Sequence, residues 1–487
     1  MHPEREVTLR DLASRCLDQA RASGASYADV RVLRQRSEEI VVKNGKVEAL
    51  LVHEDEGFGV RAIADGAWGF ASSYRLEPGE ADRIASLAVK IARASALAKR
   101  GDVDIGPPMP SVGSYATPVQ IDPFAISIEE KIGALLDADE AMRRVKGVTI
   151  AESSFQCLRT EKLFASTEGS FVEQRLVETG AGIEATAVRD GEVQKRSYPN
   201  SFGRHQGTAG YEFLLDMKLV ENAPLIAEQA VQLLSAEQCP SDLTTTVILD
   251  PTQLALQIHE SCGHPIELDR VMGMEASYAG TSFLTLDKLG SFRYGSDVVN
   301  IVADATVPGG LGTFGYDDEG VPAQRVPIVQ GGIFVNYLTS RETATILNQM
   351  SNGTMRADGW NRIPLIRMTN INLEPGPWSL DDLIADTDEG IFMQTNKSWS
   401  IDDKRLNFQF GTEIAWEIKG GRLGRMFKNA TYTGITPQFW AGCDAVCREW
   451  KVWGTPNCGK GEPMQVAHVG HGTAAARFRG VRVGVMR

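Results

Sequence analysis

Three dipeptides, Asn44-Gly45, Asp65-Gly66 and Asp190-Gly191, interrupt runs of β-branched residues, and each marks the tight turn that joins antiparallel strands. They commit the chain to antiparallel pairing over Tyr27 to Ser73 and again from Val148 onward. Between these runs the hydrophobic period changes. Leu9, Leu12, Ala13, Cys16, Leu17 and Ala20 recur at three and four residues, predicting an amphipathic helix over Leu9 to Ala22. Further helices are predicted over Pro78 to Lys99, Ser127 to Val145 and about Tyr211 to Glu237. The Pro-rich segment Gly106 to Pro110 cannot be helical. Runs of helix beside runs of antiparallel strand place the chain in the α+β class.

The helical pattern stops near Cys239-Pro240-Ser241, and TTTVIL, Thr244 to Leu249, starts a strand. A boundary here divides the chain into an N-terminal α/β domain, 1–240, and a β-rich domain, 241–487. A length of 487 residues suits two domains better than one. The second half is strands and turns, including Gly309-Gly310, Gly331-Gly332 and Gly420-Gly421, and it closes on a strand over Arg479 to Met486. A mostly antiparallel, barrel-like body is expected. Fifty basic against 63 acidic residues give a net charge of −13, which argues against duplex DNA or an anionic membrane as the main partner. MHPEREVTLR is charged where a signal peptide needs apolar residues, and no long apolar run follows, so a cytoplasmic location with reduced cysteines is expected.

One helix start in the second half is strongly encoded: Asp250 at the N-cap, Pro251 at the first helical position, then Thr252 and Gln253. The helix runs LALQIHESC into Gly263-His264-Pro265, with Gly263 suited to a left-handed terminus. Inside that stop lies His259-Glu260-Ser261-Cys262-Gly263-His264, an HExxxH arrangement. The zinc-peptidase pattern HExxH sets two histidines on one helical face around a glutamate base. Positions five apart lie about 140° apart on a regular helix, so two rings can share a metal only if His264 leaves the helix or a π-type turn realigns it. A third ligand is needed. Candidates are Cys458, in the turn TPNCGKGEP with Lys460 nearby to favour its thiolate; the pair His468 and His471, as further donors or substrate contacts; Glu267; and Cys443 with Cys447 in an apparently helical stretch that more simply packs as core. Gly310 to Gly315 matches GxGxxG, but Gly and Pro follow where a dinucleotide site needs a helix. Asp317-Asp318-Glu319 is read as a solvated acidic turn rather than a cation site.

The stretches HESCGHPIELD, GTFGYDDEGVPAQ, YLTSRETA, PLIRMTNINLEPG, PNCGKGEP and VGHGT, within 259–473, resemble the TldD/PmbA family of zinc metallopeptidases, in its TldD branch. The resemblance implies one zinc ion per chain held by His259, His264 and Cys458, with Glu260 as catalytic base. It also implies an α/β N-terminal and a β-rich C-terminal domain, and a dimer, either with itself or with a related PmbA-type subunit, enclosing a chamber for unfolded or short peptides. The chain departs from the family pattern at His468 and His471 and at Cys262, which is expected to pack. Two other classes compete with a metallopeptidase: a binding or scaffold subunit that keeps a metal for stability, and a redox enzyme using Cys443 and Cys447, whose spacing is not CxxC.

Overall fold

The computed structural model describes residues 8–486; the charged segment before Thr8 lies outside the described residues. Helix Leu9–Ala22 begins on a capping box in which Thr8 and Asp11 satisfy each other's backbone N–H groups. The three turn dipeptides form as read: Asn44, Asp65 and Asp190 take φ of 48°, 50° and 52°, and the following glycines are also at positive φ, the geometry that matches strand twist. They close the hairpins Tyr27–Lys43 with Lys46–Ala64, Lys46–Ala64 with Ala67–Ser73, and Phe171–Arg189 with Glu192–Tyr198. Strand Val148–Ser166 pairs antiparallel with both Tyr27–Lys43 and Phe171–Arg189, completing the centre of one large sheet.

Alternation along these strands gives the sheet two different faces. Val30, Val32, Ile40 and Val42 point one way, with Leu163 and Ala165 opposite, and are buried under Leu9–Ala22 and Pro78–Ala96 at one end and Ile128–Arg143 and Leu219–Leu233 at the other. The intervening Asp29 and Arg31, with Lys162 from the neighbouring strand, point to the other face and meet the C-terminal half. The helix predicted over Tyr211 to Glu237 is two, Glu212–Met217 and Leu219–Leu233, broken by Lys218 at a left-handed φ of 50°. The propensity pattern runs through that break because both pieces bury the same apolar face.

Five strands of the C-terminal half close on themselves: Leu243–Leu249, Ala476–Val485, Ala430–Ile435, Asn407–Lys419 and Glu389–Ile401 form a barrel. All of its pairings are antiparallel except Leu243–Leu249 with Glu389–Ile401. Its core is one continuous apolar cluster that takes in Cys262, Cys443 and Cys447. Cys443 lies on a strand, Cys443–Val446, rather than on the expected helix; the preceding Thr436–Ala441 takes the helical turn. All seven cysteines are free, and burial raises the Cys443 and Cys262 thiols to about 12, so both are inert packing groups. The GxGxxG segment is an irregular turn with no helix after it. Among the described residues no helix is long and apolar enough to cross a membrane.

The acidic turn is not solvated. Asp317, Asp318 and Glu319 are 1%, 0% and 3% exposed and sit where the two halves meet. Asp318 bonds Lys162 at 2.6 Å and lies 3.6 Å from Arg31, Arg61 bridges Asp29 to Glu319, and the Asp317 carboxylate accepts N–H groups from Glu319, Val321 and Met355. Cationic side chains from the sheet face pair Asp318 and Glu319, and backbone N–H groups take up Asp317, so the acids act as a buried ionic joint. Breaking a buried pair leaves a stranded charge, at about 3–5 kcal/mol. Asp318→Ala is expected to destabilise the protein by about that amount in denaturant unfolding; a loss under about 1 kcal/mol, the range of exposed pairs, would mean the joint is wet.

Candidate metal centre

The encoded helix start forms: Asp250 accepts the N–H of Gln253 at 3.0 Å and Pro251 opens helix Pro251–Ile258. That helix packs against Glu389–Ile401 and Gln465–Thr473. At His259 the ladder changes. Residues His259–Gly263 form a π turn in which the N–H of His264 bonds the carbonyl of His259, five residues back, and His264–Ile266 continues as a 3₁₀ turn. The carbonyl of Ser261 accepts from the Tyr294 hydroxyl at 2.9 Å, while its side chain accepts from Trp440 Nε1 at 3.0 Å. Gly263 keeps right-handed helical geometry (φ −57°), contrary to the left-handed terminus expected. Its requirement is steric: a Cβ there would stand 2.2 Å from the sulfur of Met368.

The π turn puts the His259 and His264 rings on one side, with centroids 4.9 Å apart. Cys458 joins them: its Sγ is 3.7 Å from His264 Nε2, and one donor atom from each of the three residues lies within 4.8 Å of the others. Ligand atoms on a tetrahedral zinc lie roughly 3.3–3.6 Å apart; the Cys458–His264 pair stands close to that spacing, and the buried two-nitrogen, one-sulfur set has the donor chemistry of a zinc site. Cys458 sits in strand Lys451–Lys460 rather than in an open turn, at a shift of register against Gln465–Thr473 that brings its thiol to the helix end. Burial works against the thiolate, but His259, His264 and Arg367 outweigh it and hold the Cys458 thiol well below its usual range. Lys460, expected to do this, instead bonds Asp269 at 2.7 Å and lies 3.3 Å from Glu267.

Second partners orient the rings. His264 Nδ1 donates to Glu267 Oε2 at 3.0 Å, and His259 Nδ1 shares a 2.8 Å hydrogen bond with His471 Nε2. The outer nitrogens are thus engaged, which leaves Nε2 of each motif histidine to face the shared space. Glu267 and His471 therefore support the cluster rather than belong to it. His468 is elsewhere. It alternates to the other face of Gln465–Thr473 and pairs with Glu178 of the large sheet at 2.5 Å. Glu260 points into the same space as the cluster and is paired with Arg405, a residue that no local sequence signal connects to it. A cavity of about 610 Å³ reaches this centre, lined by His259, Glu260, His264, Arg405 and Cys458 on one side and by Glu184 and Arg204 of the N-terminal half on the other.

Burial alone would lower the pKa of His468, but Glu178 outweighs it and raises it above the ordinary 6.5. A histidine more basic in the folded state stabilises the fold fully below the unfolded pKa and loses that contribution as pH rises through the folded one. The stability gap between the wild type and Glu178→Gln is therefore expected to shrink as pH rises past the ordinary histidine value and through the raised folded-state one, followed by thermal unfolding. A pH-independent gap would mean the pair is not ionic.

Residues 243–485 match the PmbA/TldA metallopeptidase C-terminal domain, 28–92 its domain 1 and 121–236 its central domain. A metalloprotease of Methanocaldococcus jannaschii is 31% identical over 455 residues, covering 93% of this chain and 95% of its own. A zinc metalloprotease TldD homologue of Saccharolobus solfataricus is 22% identical over 427 residues, covering 86% of this chain and 88% of its own. Among solved structures, a Thermotoga maritima protein described as a modulator of a DNA gyrase superposes with a TM-score of 0.78 at 19% identity, covering 98% of this chain and all of its own. TldE of Thermococcus kodakarensis does so with a TM-score of 0.74 at 17% identity, over 97% of this chain and all of its own.

Proposed function

Because the chain belongs to the PmbA/TldA metallopeptidase family, we propose that it hydrolyses unfolded or short peptides at one zinc ion held by His259, His264 and Cys458. The observation that carries this reading is the convergence of three buried donor atoms, with the carboxylate of Glu260, paired to Arg405, on the wall of the cavity that opens there. A bound zinc ion supplies a Lewis acid that acidifies water and polarises a peptide carbonyl. Glu260 takes the proton of the attacking water and delivers it to the leaving amine. Glu267 and His471 hold the two imidazoles in the tautomer that presents Nε2. Residues 241–487 carry the chemistry on this reading and 1–240 shape access to it, since the far wall of the cavity comes from the N-terminal half. The likeness to TldE supports a pairing with a second chain of this fold, a copy or a related subunit.

A scaffold that keeps a metal only for stability needs no base between its ligands and tends to close the fourth position with another side chain. Glu260 stands beside the cluster and contributes no donor to it, which favours the enzyme.

The reading is tested on one preparation by elemental analysis and by cleavage of an unstructured peptide. Glu260→Ala is expected to keep its zinc and lose hydrolysis by at least about 10²-fold; undiminished turnover would remove Glu260 from the mechanism. Cys458→Ser is expected to lose stoichiometric metal, and full retention would pass the third position to another donor. Removing an orienting partner weakens metal binding by about 10–100-fold. His471→Ala is expected to fall in that range by competition with a chelator, and an unchanged affinity would show that His259 needs no support.

A further inference from the structure

Arg405 is built into the centre with more structure than a surface counter-charge requires. It stands in the turn between Glu389–Ile401 and Asn407–Lys419 at a left-handed φ of 62°. The turn is pinned from several sides. The Asp402 carboxylate accepts the N–H groups of Leu406 at 2.7 Å and Asn407 at 3.2 Å, the Arg405 carbonyl accepts from Thr436 Oγ1 at 2.9 Å, and the Asp403 carbonyl accepts from Arg270 at 2.8 Å. The backbone is therefore fixed and only the side chain has freedom. That side chain, 14% exposed, meets Glu260 through Nη1 alone rather than as a two-point fork. Its Nε is buried without a hydrogen-bond partner. Both residues line the cavity beside His259, His264 and Cys458. A guanidinium with donors to spare, on a rigid turn, next to the base is placed for more than holding that base.

Resting on the peptidase reading above, we propose that Arg405 is a catalytic residue: it pairs with Glu260 in the free enzyme and, when Glu260 takes the proton of the attacking water, turns its guanidinium to the carbonyl oxygen of the scissile peptide. In this step the water O–H bond breaks toward Glu260, a C–O bond forms at the carbonyl carbon, and the C=O π pair moves onto the carbonyl oxygen. Negative charge leaves the carboxylate and arises on that oxygen, and the guanidinium, swinging from its fixed turn, follows it. The proton then passes from Glu260 to the amide nitrogen, the C–N bond breaks, the carbonyl reforms, and the freed carboxylate takes Arg405 back. A donor that meets the oxygen only as its charge develops acts on the transition state and not on the bound substrate.

The test compares wild type, Arg405→Ala and Arg405→Lys, each checked for zinc content and circular dichroism, on hydrolysis of an unstructured peptide and on binding of a phosphinic peptide, whose anionic tetrahedral centre mimics the transition state. For Arg405→Ala kcat is expected to fall by about 10²–10³-fold with KM within about threefold, and phosphinic-peptide affinity to fall in parallel. Arg405→Lys, which keeps a charge beside Glu260, is expected to lose about tenfold in both, and carries the comparison if the alanine variant does not fold. A kcat within about threefold of wild type in the folded variants overturns the proposal and leaves the peptidase reading standing. Reduced kcat with unchanged phosphinic-peptide affinity also overturns it, reducing Arg405 to a support for Glu260. A zinc-loaded wild type that cleaves no peptide overturns the peptidase reading and this proposal with it.

Discussion

The hydrogen bond from the His264 N–H to the His259 carbonyl is the contact on which the centre depends. A regular helix closes that bond four residues back and would turn the second ring away by more than a third of a circle. Closing it five residues back widens one turn, brings both rings to one side and frees backbone groups that the surrounding core must satisfy. The Tyr294 hydroxyl takes the Ser261 carbonyl, and the Met368 side chain packs where Gly263 has no Cβ. A π turn is stable here because neighbours distant in sequence are shaped to its irregularity.

The second constraint is the two-faced sheet of the N-terminal half. Alternation sends apolar residues under the helices and sends Asp29, Arg31 and Lys162 toward the C-terminal half, where Asp318 and Glu319 meet them out of water. Ionic contacts of this kind are directional and costly to break, so they hold one relative placement of sheet and barrel. The cavity over the HExxxH turn has walls from both sides of that joint, and its shape therefore follows from the placement.

Much of this was legible in the chain. The hairpin turns, the capped helix at Asp250 and the need for a realigned turn between His259 and His264 follow from local rules: left-handed φ at Asn and Gly, orphan N–H groups at a helix start, and 100° per residue. Local rules failed where burial or long-range pairing decided the outcome. Nothing adjacent to Asp318 and Glu319 announces that Arg31 and Arg61, some 260–290 positions earlier in the numbering, will meet them out of water. Cys443 went to a strand because Ala476–Val485 offered an edge to pair with. His468 and His471 look equivalent in VAHVGHGT, yet three positions along a strand set them on opposite faces, one against Glu178 and one against His259.

By itself the sequence determined the class of fold, the place of the irregular turn and the residue types able to hold a metal, because turns, caps and helical period act within a few residues of each other. The tertiary structure decided which cysteine meets the two histidines, which partners orient their rings, that the acidic turn is a buried joint, and that Arg405 faces Glu260. Apart from the local bond of His264 to Glu267, each of those outcomes joins residues more than a hundred positions apart, or depends on a desolvation that exists only once the sheet and the barrel have come together.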